Sequence, residues 1–473
     1  MKKILLVNTV YGRGSVGRII GDLYRCGENA GYETYAAFSR SDVPEGIRGV
    51  RIGNVGDLAG HVAMDILADR GGFGSAAVTR KFLQWVDTVQ PDLIHLHNIH
   101  GFYLQVEVLF RYLRERGIPV VWTLHDCWPI TGHCAYFEAA GCAKWKAGTG
   151  CHNCPQHLQA YPYSVWDYSR KGYERKRAAF TGVLKLTIVT PSVWLKNIVG
   201  ESFLKEYPVE VIPNGIDLSI FKPYRGDAAD EIAAACGVTG NPSEACAEKS
   251  DSYNNLRMKS ENTQPGDGEA QTVLQSILAQ KGGRRLILGV ANVWTKRKGY
   301  EMLLHLAKKL SDDEVLCLVG VSKRQQRKLE SEYRGKVLPV THTDSVEELA
   351  GLYNAADVFV NPTFEDNFPT TNLEALACGT PVVTASVGGS TEMLTSGGCV
   401  LTDVGDSFAP GDEEGMERVV QRVLDRGKAA YTQRCAAQGR LYGRQKSYER
   451  YLALYARVLG DTVPADRLHP GCV

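Results

Sequence analysis

The chain has 473 residues, 44% hydrophobic and 23% charged, and its 54 Lys and Arg against 53 Asp and Glu leave a formal net charge of +1. This balance supplies no global field for nucleic acid or another polyanion, so no nucleic-acid partner is expected. The length suits two or three domains, and no run of 18 apolar residues is present to cross a bilayer.

In chain order, Met1-Lys2-Lys3 precedes an apolar run too short for the h-region of a secretion signal, so Ile4–Val7 reads as a first strand and the expected location is cytoplasmic. Peripheral contact with the inner face of the cell membrane stays compatible with that reading. Gly12-Arg13-Gly14-Ser15-Val16-Gly17 follows, a G-x-G-x-x-G between strand and helix. Such glycines let backbone N–H groups approach a phosphate. The next strand, Thr34–Phe38, ends in Ser39 and Arg40 with no acid for a ribose. Three readings remain: an NADP site using Arg40, a tight packing turn, or a phosphate- or sugar-facing loop of another nucleotide-using fold.

Leu93–Leu96, Val120–Leu124 and Leu186–Val189 continue the strand pattern in the first half. Leu286–Val290, Val315–Val319, Val358–Val360 and Val382–Thr384 repeat it in the second. Nearly continuous Val, Ile and Leu runs separated by helical patterns predict parallel strands buried on both faces. The interruption at about 224–283 is polar and rich in turn residues, which predicts two Rossmann-like domains joined across an insertion rather than one barrel. The expected division is 1–205, 206–445, and a C-terminal helix and tail at 446–473.

Polar side chains cluster where the strands end. His95, His97 and His100 follow one strand, and His125 and Asp126 another. His95 and His97 share one side of an extended segment, which suits either metal ligation or hydrogen bonding to a substrate. The loop 127–155 then carries Cys134, Cys142, Cys151 and Cys154, with His133 and His152 beside them. A structural zinc held by the four thiolates is one reading; reduced thiols, a disulfide pair or a redox role are the others. The five basic residues within 168–177 read as a solvated helix face, with contact to an anionic acceptor or a membrane surface as the alternative.

The stretch from Thr363 to Val383 organises the second half. It follows the strand Val358–Val360, carries Asp366 and Glu374 eight positions apart, and enters a short helix closed by Gly379. A loop at the carboxyl end of a parallel strand, opening onto a helix N-terminus, is where an open α/β sheet holds its ligand. Thr371-Asn372-Leu373-Glu374 also fits a capping box, in which Glu374 serves only backbone N–H groups.

Several motifs now agree in order and spacing. They are the Gly-rich opening, Thr190-Pro191-Ser192 with Trp194, Val211 to Asp217 with Phe221 and Pro223, Lys298-Gly299, Asp366 to Glu374, Cys378-Gly379-Thr380-Pro381 and Gly388 to Glu392. Together, over almost the whole chain, they resemble the GT-B glycosyltransferases of family 4. Trp128, the Cys-rich loop and Glu365 to Pro369 look like members that build bacterial exopolysaccharide, capsule or colanic-acid-type polymers.

The resemblance implies an α/β GT-B fold, with two Rossmann-like domains whose parallel sheets face a central cleft. It implies a retaining transferase taking a UDP- or GDP-sugar donor and a glycan or polyprenyl-linked acceptor, with no cofactor required for catalysis. It assigns Lys298, with Arg297 or Lys296 nearby, to the donor diphosphate, Asp366 to the donor sugar, Glu374 to the ribose and His125 to the transferred sugar. Gly14, Asn292, Glu365, Asn367, Phe368 and Thr370 complete the implied donor site. Two departures stand out. The first acid is Asp366 rather than Glu, with Glu365 as a neighbouring substitute, and the family's Arg falls at Val293, for which Arg297 is the replacement. The rival readings are a nucleotide-sugar epimerase of the same fold, an NADP-dependent oxidoreductase and a non-catalytic scaffold.

Overall fold

The computed structural model describes residues 1–159, 161, 162, 164–224, 272–396 and 398–461. Two parallel sheets organise them. The first contains β1 (Lys3–Val7), β2 (Glu33–Phe38), β3 (Gly49–Arg51), β4 (Leu93–Leu96), β5 (Val120–Thr123), β6 (Leu186–Thr190) and β7 (Val209–Val211), in the spatial order β3-β2-β1-β4-β5-β6-β7. The second strand set runs β8 (Arg285–Val290), β9 (Glu314–Val319), β10 (Val337–Val340), β11 (Val358–Asn361), β12 (Val382–Ala385), a small hairpin of β13 (Thr395–Ser396) and β14 (Cys399–Val400), and β15 (Gly405–Phe408). Its main sheet has the order β10-β9-β8-β11-β12-β15, parallel throughout.

The apolar runs explain this arrangement. β1, β4, β5, β9, β11 and β12 are almost wholly buried, because crossover helices cover both faces of each sheet. Strand order reverses between β1 and β4 in one sheet and between β8 and β11 in the other. Loops diverge at these switch points and leave a crevice at the carboxyl ends of the strands. The residues singled out from sequence lie on those loops.

Three expectations need correction. β7 pairs with β6, so the first domain runs past the predicted boundary at 205. The end of the predicted insertion is ordered: Val273–Lys281 is a helix, capped by Thr272 and Gln275, that buries Leu274 and Ile277. The insertion from 225 to 271 lies outside the described residues. The basic stretch is not simply a solvated face. In the helix Ser169–Phe180, Lys176 is buried, donating to the Trp128 and Thr131 carbonyls at 2.8 and 3.0 Å. Burial lowers its pKa to about 8.

The C-terminal helix Arg444–Leu459 returns to the first domain. Tyr448, Tyr451, Leu452 and Tyr455 join Ile4, Leu6 and Leu23 in one apolar cluster. No helix among the described residues is long and apolar enough to cross a membrane.

Candidate active site

Lys298 and Asp366 meet at the switch point of the second sheet, Nζ to Oδ2 at 2.5 Å, with a quarter of the lysine side chain and an eighth of the aspartate exposed. Their meeting is built by backbone. Gly299 has φ +75° and lies so close to the Pro362 carbonyl that a Cβ would stand 2.0 Å from its oxygen. Only glycine lets the turn Lys296–Lys298 press against the end of β11. The Phe364 N–H then donates to the Arg297 carbonyl at 2.8 Å, and Arg297 Nη1 returns a bond to the Glu365 carbonyl at 2.9 Å. The Arg297 guanidinium also lies 4.9 Å over the Tyr136 ring of the first domain. Arg297 thus braces the loop next to Lys298. Asn292 stands exposed on the loop that leads there.

The neighbours of Asp366 hold the two domains together. Asn367 donates through Nδ2 to the His125 carbonyl at 3.0 Å and accepts from Ser192 Oγ at 2.5 Å. Glu365 is buried and accepts the Ala139 N–H of the Cys-rich loop at 3.0 Å. Phe368 is buried with its ring centroid 5.8 Å from that of Tyr442. Glu392 accepts the Val193 and Trp194 N–H groups at 2.9 and 2.7 Å, so an acid of the second domain caps a helix of the first.

His125 ends the chain extension after β5, within this cross-domain junction. Its Nε2 lies 3.0 Å from His97 Nδ1. Burial pushes His125 down to about 4, against the opposing pull of Asp126, so the ring is neutral near pH 7. Burial alone would raise Asp126, but the charge and hydrogen bond of His100, 2.9 Å away, outweigh it and the pKa falls. His95 is not available as a metal ligand: its two ring nitrogens engage Tyr455 at 2.6 Å and Thr123 at 2.8 Å. His95 and His97 instead pack ring against ring, tilted by 40° with centroids 4.0 Å apart.

Glu374 does not form the expected capping box. The helix Thr370–Ala377 begins after Pro369 and has no side-chain cap, which leaves Thr371 inside the helix rather than at its N-cap. The Glu374 carboxylate instead accepts from the Tyr353 hydroxyl at 3.0 Å. Burial raises its pKa, while bonds from Tyr353 and Thr370 and the charge of Arg18 lower it. Arg18 and Tyr353 were not singled out from sequence. Arg18 could have been, as the first cation of the helix opened by Gly14, but only the fold brings its charge to bear on Glu374. Gly14 starts that helix at φ +65°, with open space around its Cα.

Cys134, Cys142, Cys151 and Cys154 line one small cavity in the first domain. Cys134 and Cys154 hydrogen-bond to each other. Among the described residues, no group of three or more His, Cys, Asp or Glu side chains converges as a metal-holding set. Hydrogen bonds from Lys144 to the His152 and Asn153 carbonyls and from Trp145 to the Cys142 carbonyl organise the loop.

Two parallel-sheet domains, with the carboxyl ends of both switch points meeting at one junction, define a GT-B fold. Residues 16–220 match the domain described as Glycosyltransferase Family 4 and residues 284–426 the domain described as Glycosyl transferases group 1; the chain belongs to these glycosyltransferase families. It is 32% identical over 142 residues to a putative colanic acid biosynthesis glycosyl transferase, WcaC, of Escherichia coli K12, covering 28% of this chain and 33% of that one. The chain thus spans about a third of that relative's length. Sucrose-phosphate synthase from Thermosynechococcus elongatus superposes with a TM-score of 0.64 at 17% identity, over 97% of this chain and 100% of that one. HepE from Anabaena, solved in complex with UDP, superposes at 0.58 with 13% identity over 97% and 100%.

Proposed function

We propose that the protein transfers a sugar from a UDP- or GDP-sugar to a glycan or polyprenyl-linked acceptor, with retention at the anomeric carbon, in the assembly of a bacterial surface polysaccharide. The Lys298–Asp366 pair carries this reading. Its cation and acid stand at the carboxyl end of β11, at the domain junction, where an incoming diphosphate can exchange with the carboxylate on Lys298. The similarity to a colanic acid biosynthesis transferase supports the polymer class, and the UDP complex of HepE supports the donor class.

In this reading the donor diphosphate takes Lys298, and Asp366 turns to accept hydroxyl hydrogens of the donor sugar. Glu374 holds the ribose, with Arg18 near it. Neutral His125 offers a hydrogen bond to the transferred sugar. The bond from the anomeric carbon to the diphosphate oxygen breaks as the acceptor oxygen bonds to the same face. The acceptor proton passes to the departing diphosphate, whose charge Lys298 stabilises.

A panel of nucleotide-sugars, scored by thermal shift and by turnover with polyprenyl-linked and glycan acceptors, tests the proposal. Lys298→Ala should keep the fold and lose turnover by roughly 10²–10³-fold, the size of losing one preorganised electrostatic contact. Release of free nucleotide and an epimerised sugar without acceptor would establish the epimerase instead. A Lys298→Ala variant with full turnover would remove the role given to that side chain.

A further inference from the structure

The helix Val55–Ala68 is inside out. Its histidine and one of its acids, His61 and Asp65, are buried, while Val55, Met64 and Leu67 are exposed by 70%, 36% and 63%. It contains no Lys or Arg, and its other acid, Asp57, closes the capping box at Asn54. An ordinary surface helix has the reverse polarity. The buried His61 is engaged within the domain: it bonds to Ser75 at 2.9 Å and accepts the Gly74 N–H at 3.1 Å.

A second segment extends this apolar face. The Val165 N–H and the Ser164 hydroxyl both donate to the Ile66 carbonyl, fixing the chain around 164–168 against the end of the helix. There Trp166 is 61% exposed, and Leu158, Val165 and Tyr168 are also exposed. Six of the fifteen exposed large hydrophobic side chains among the described residues lie on the helix and on 164–168. A concentration of this kind marks an interaction surface rather than ordinary surface scatter.

A cationic pocket adjoins it. Arg70, Lys171 and Arg175 line a cavity of about 120 Å³ together with Tyr168 and the start of the loop after the apolar helix. The acids nearby have partners: Glu107 takes Arg175, Asp69 takes His133 and the Tyr168 N–H, and Glu174 takes Arg170. Among the described residues, Arg70 and Lys171 have no carboxylate within ion-pair distance. An apolar face, a Trp and Tyr rim, and cations set beside the rim match the layers of a bilayer surface, where acyl chains, carbonyl region and phosphates lie in that order.

We propose that this face of the first domain docks on an anionic phospholipid membrane, with Leu67, Met64 and Trp166 entering the acyl boundary and Arg70 and Lys171 holding headgroup phosphates. The proposal rests on surface chemistry alone and stands whether or not the sugar-transfer reading holds. It is tested by co-sedimentation of the full chain with phosphatidylcholine vesicles, with and without phosphatidylglycerol.

The wild type should pellet with the anionic vesicles and bind less as salt rises. Leu67→Glu with Trp166→Glu should weaken binding about tenfold or more, and so should Arg70→Glu with Lys171→Glu. All four positions are exposed, and an unchanged thermal melt confirms that the variants fold. The proposal is overturned if the wild type stays in the supernatant with anionic vesicles, or if the Glu variants pellet equally. A dimer in light scattering that Leu67→Glu dissociates, without vesicle binding by the wild type, would assign the face to a second copy of this chain and overturn it too.

Discussion

Lys298 and Asp366 hold each other until something more negative arrives, and neighbouring atoms keep them where it would arrive. Their residue types were legible because a cation and an acid were expected at these positions. Their mutual contact was not, since 68 positions separate them and only the switch point brings them together. The same applies to Glu374: its i, i+3 relation to Thr371 suggested a cap, yet the N-cap falls two residues earlier, at Pro369, and Tyr353 takes the carboxylate.

His125 supports a prediction at this scale. Its folded pKa is depressed by burial to about 4, below the ordinary 6.5 of a histidine, so the folded state disfavours the imidazolium. The stability from its neutral form is therefore fully present above about 6.5 and is lost as pH falls towards about 4, where the unfolded chain binds the extra proton. His125→Gln should flatten this part of the acid limb in urea unfolding measured from pH 7 to pH 4. It should also abolish any titrating imidazole signal assigned to His125, which in the wild type should show no midpoint near 6.5.

Between elements, the domains are joined by side chains placed at helix and strand ends. Glu392 caps the helix Val193–Glu201 from the other domain. Glu392→Ala should cost about 1–2 kcal/mol in urea unfolding, as for the loss of a good helix cap. Asn367→Ala leaves the buried Ser192 hydroxyl and the His125 carbonyl without that partner and should cost about 1–3 kcal/mol. It should also lower turnover, whereas Glu392→Ala should act mainly on stability, which steady-state rates at saturating donor can separate. The central strands were readable because burial on both faces forces continuous apolar runs. β3, β7, β10 and β15 were missed because they stand at sheet edges, where one side needs no apolar partner. Pro339 in β10 is tolerated for that reason.

Across the whole molecule, the first domain is completed by the end of the chain. Tyr455 bonds to His95 and Tyr451 to Thr123, 360 and 328 positions apart. Both tyrosines are buried in the cluster beneath β1 and the helix Gly14–Asn29. Tyr455→Ala should therefore destabilise the first domain, by about 3–5 kcal/mol as for a large core aromatic, although the change lies beyond the second sheet. Limited proteolysis of the variant should open sites in 1–205 before sites in 284–426. A variant that loses protection first in the second half would contradict this coupling. By itself the sequence determined the two parallel α/β domains, the ends of the strands that carry chemistry and the glycosyltransferase class, because burial, backbone turns and motif spacing are local. Tertiary structure alone decided that Glu365 and Asn367 clasp the other domain, that Lys176 is buried, that the charge of Arg18 bears on Glu374 and that an apolar helix face lies outward. Those outcomes depend on which surfaces meet after folding, and no local pattern encodes the distance between residues hundreds of positions apart.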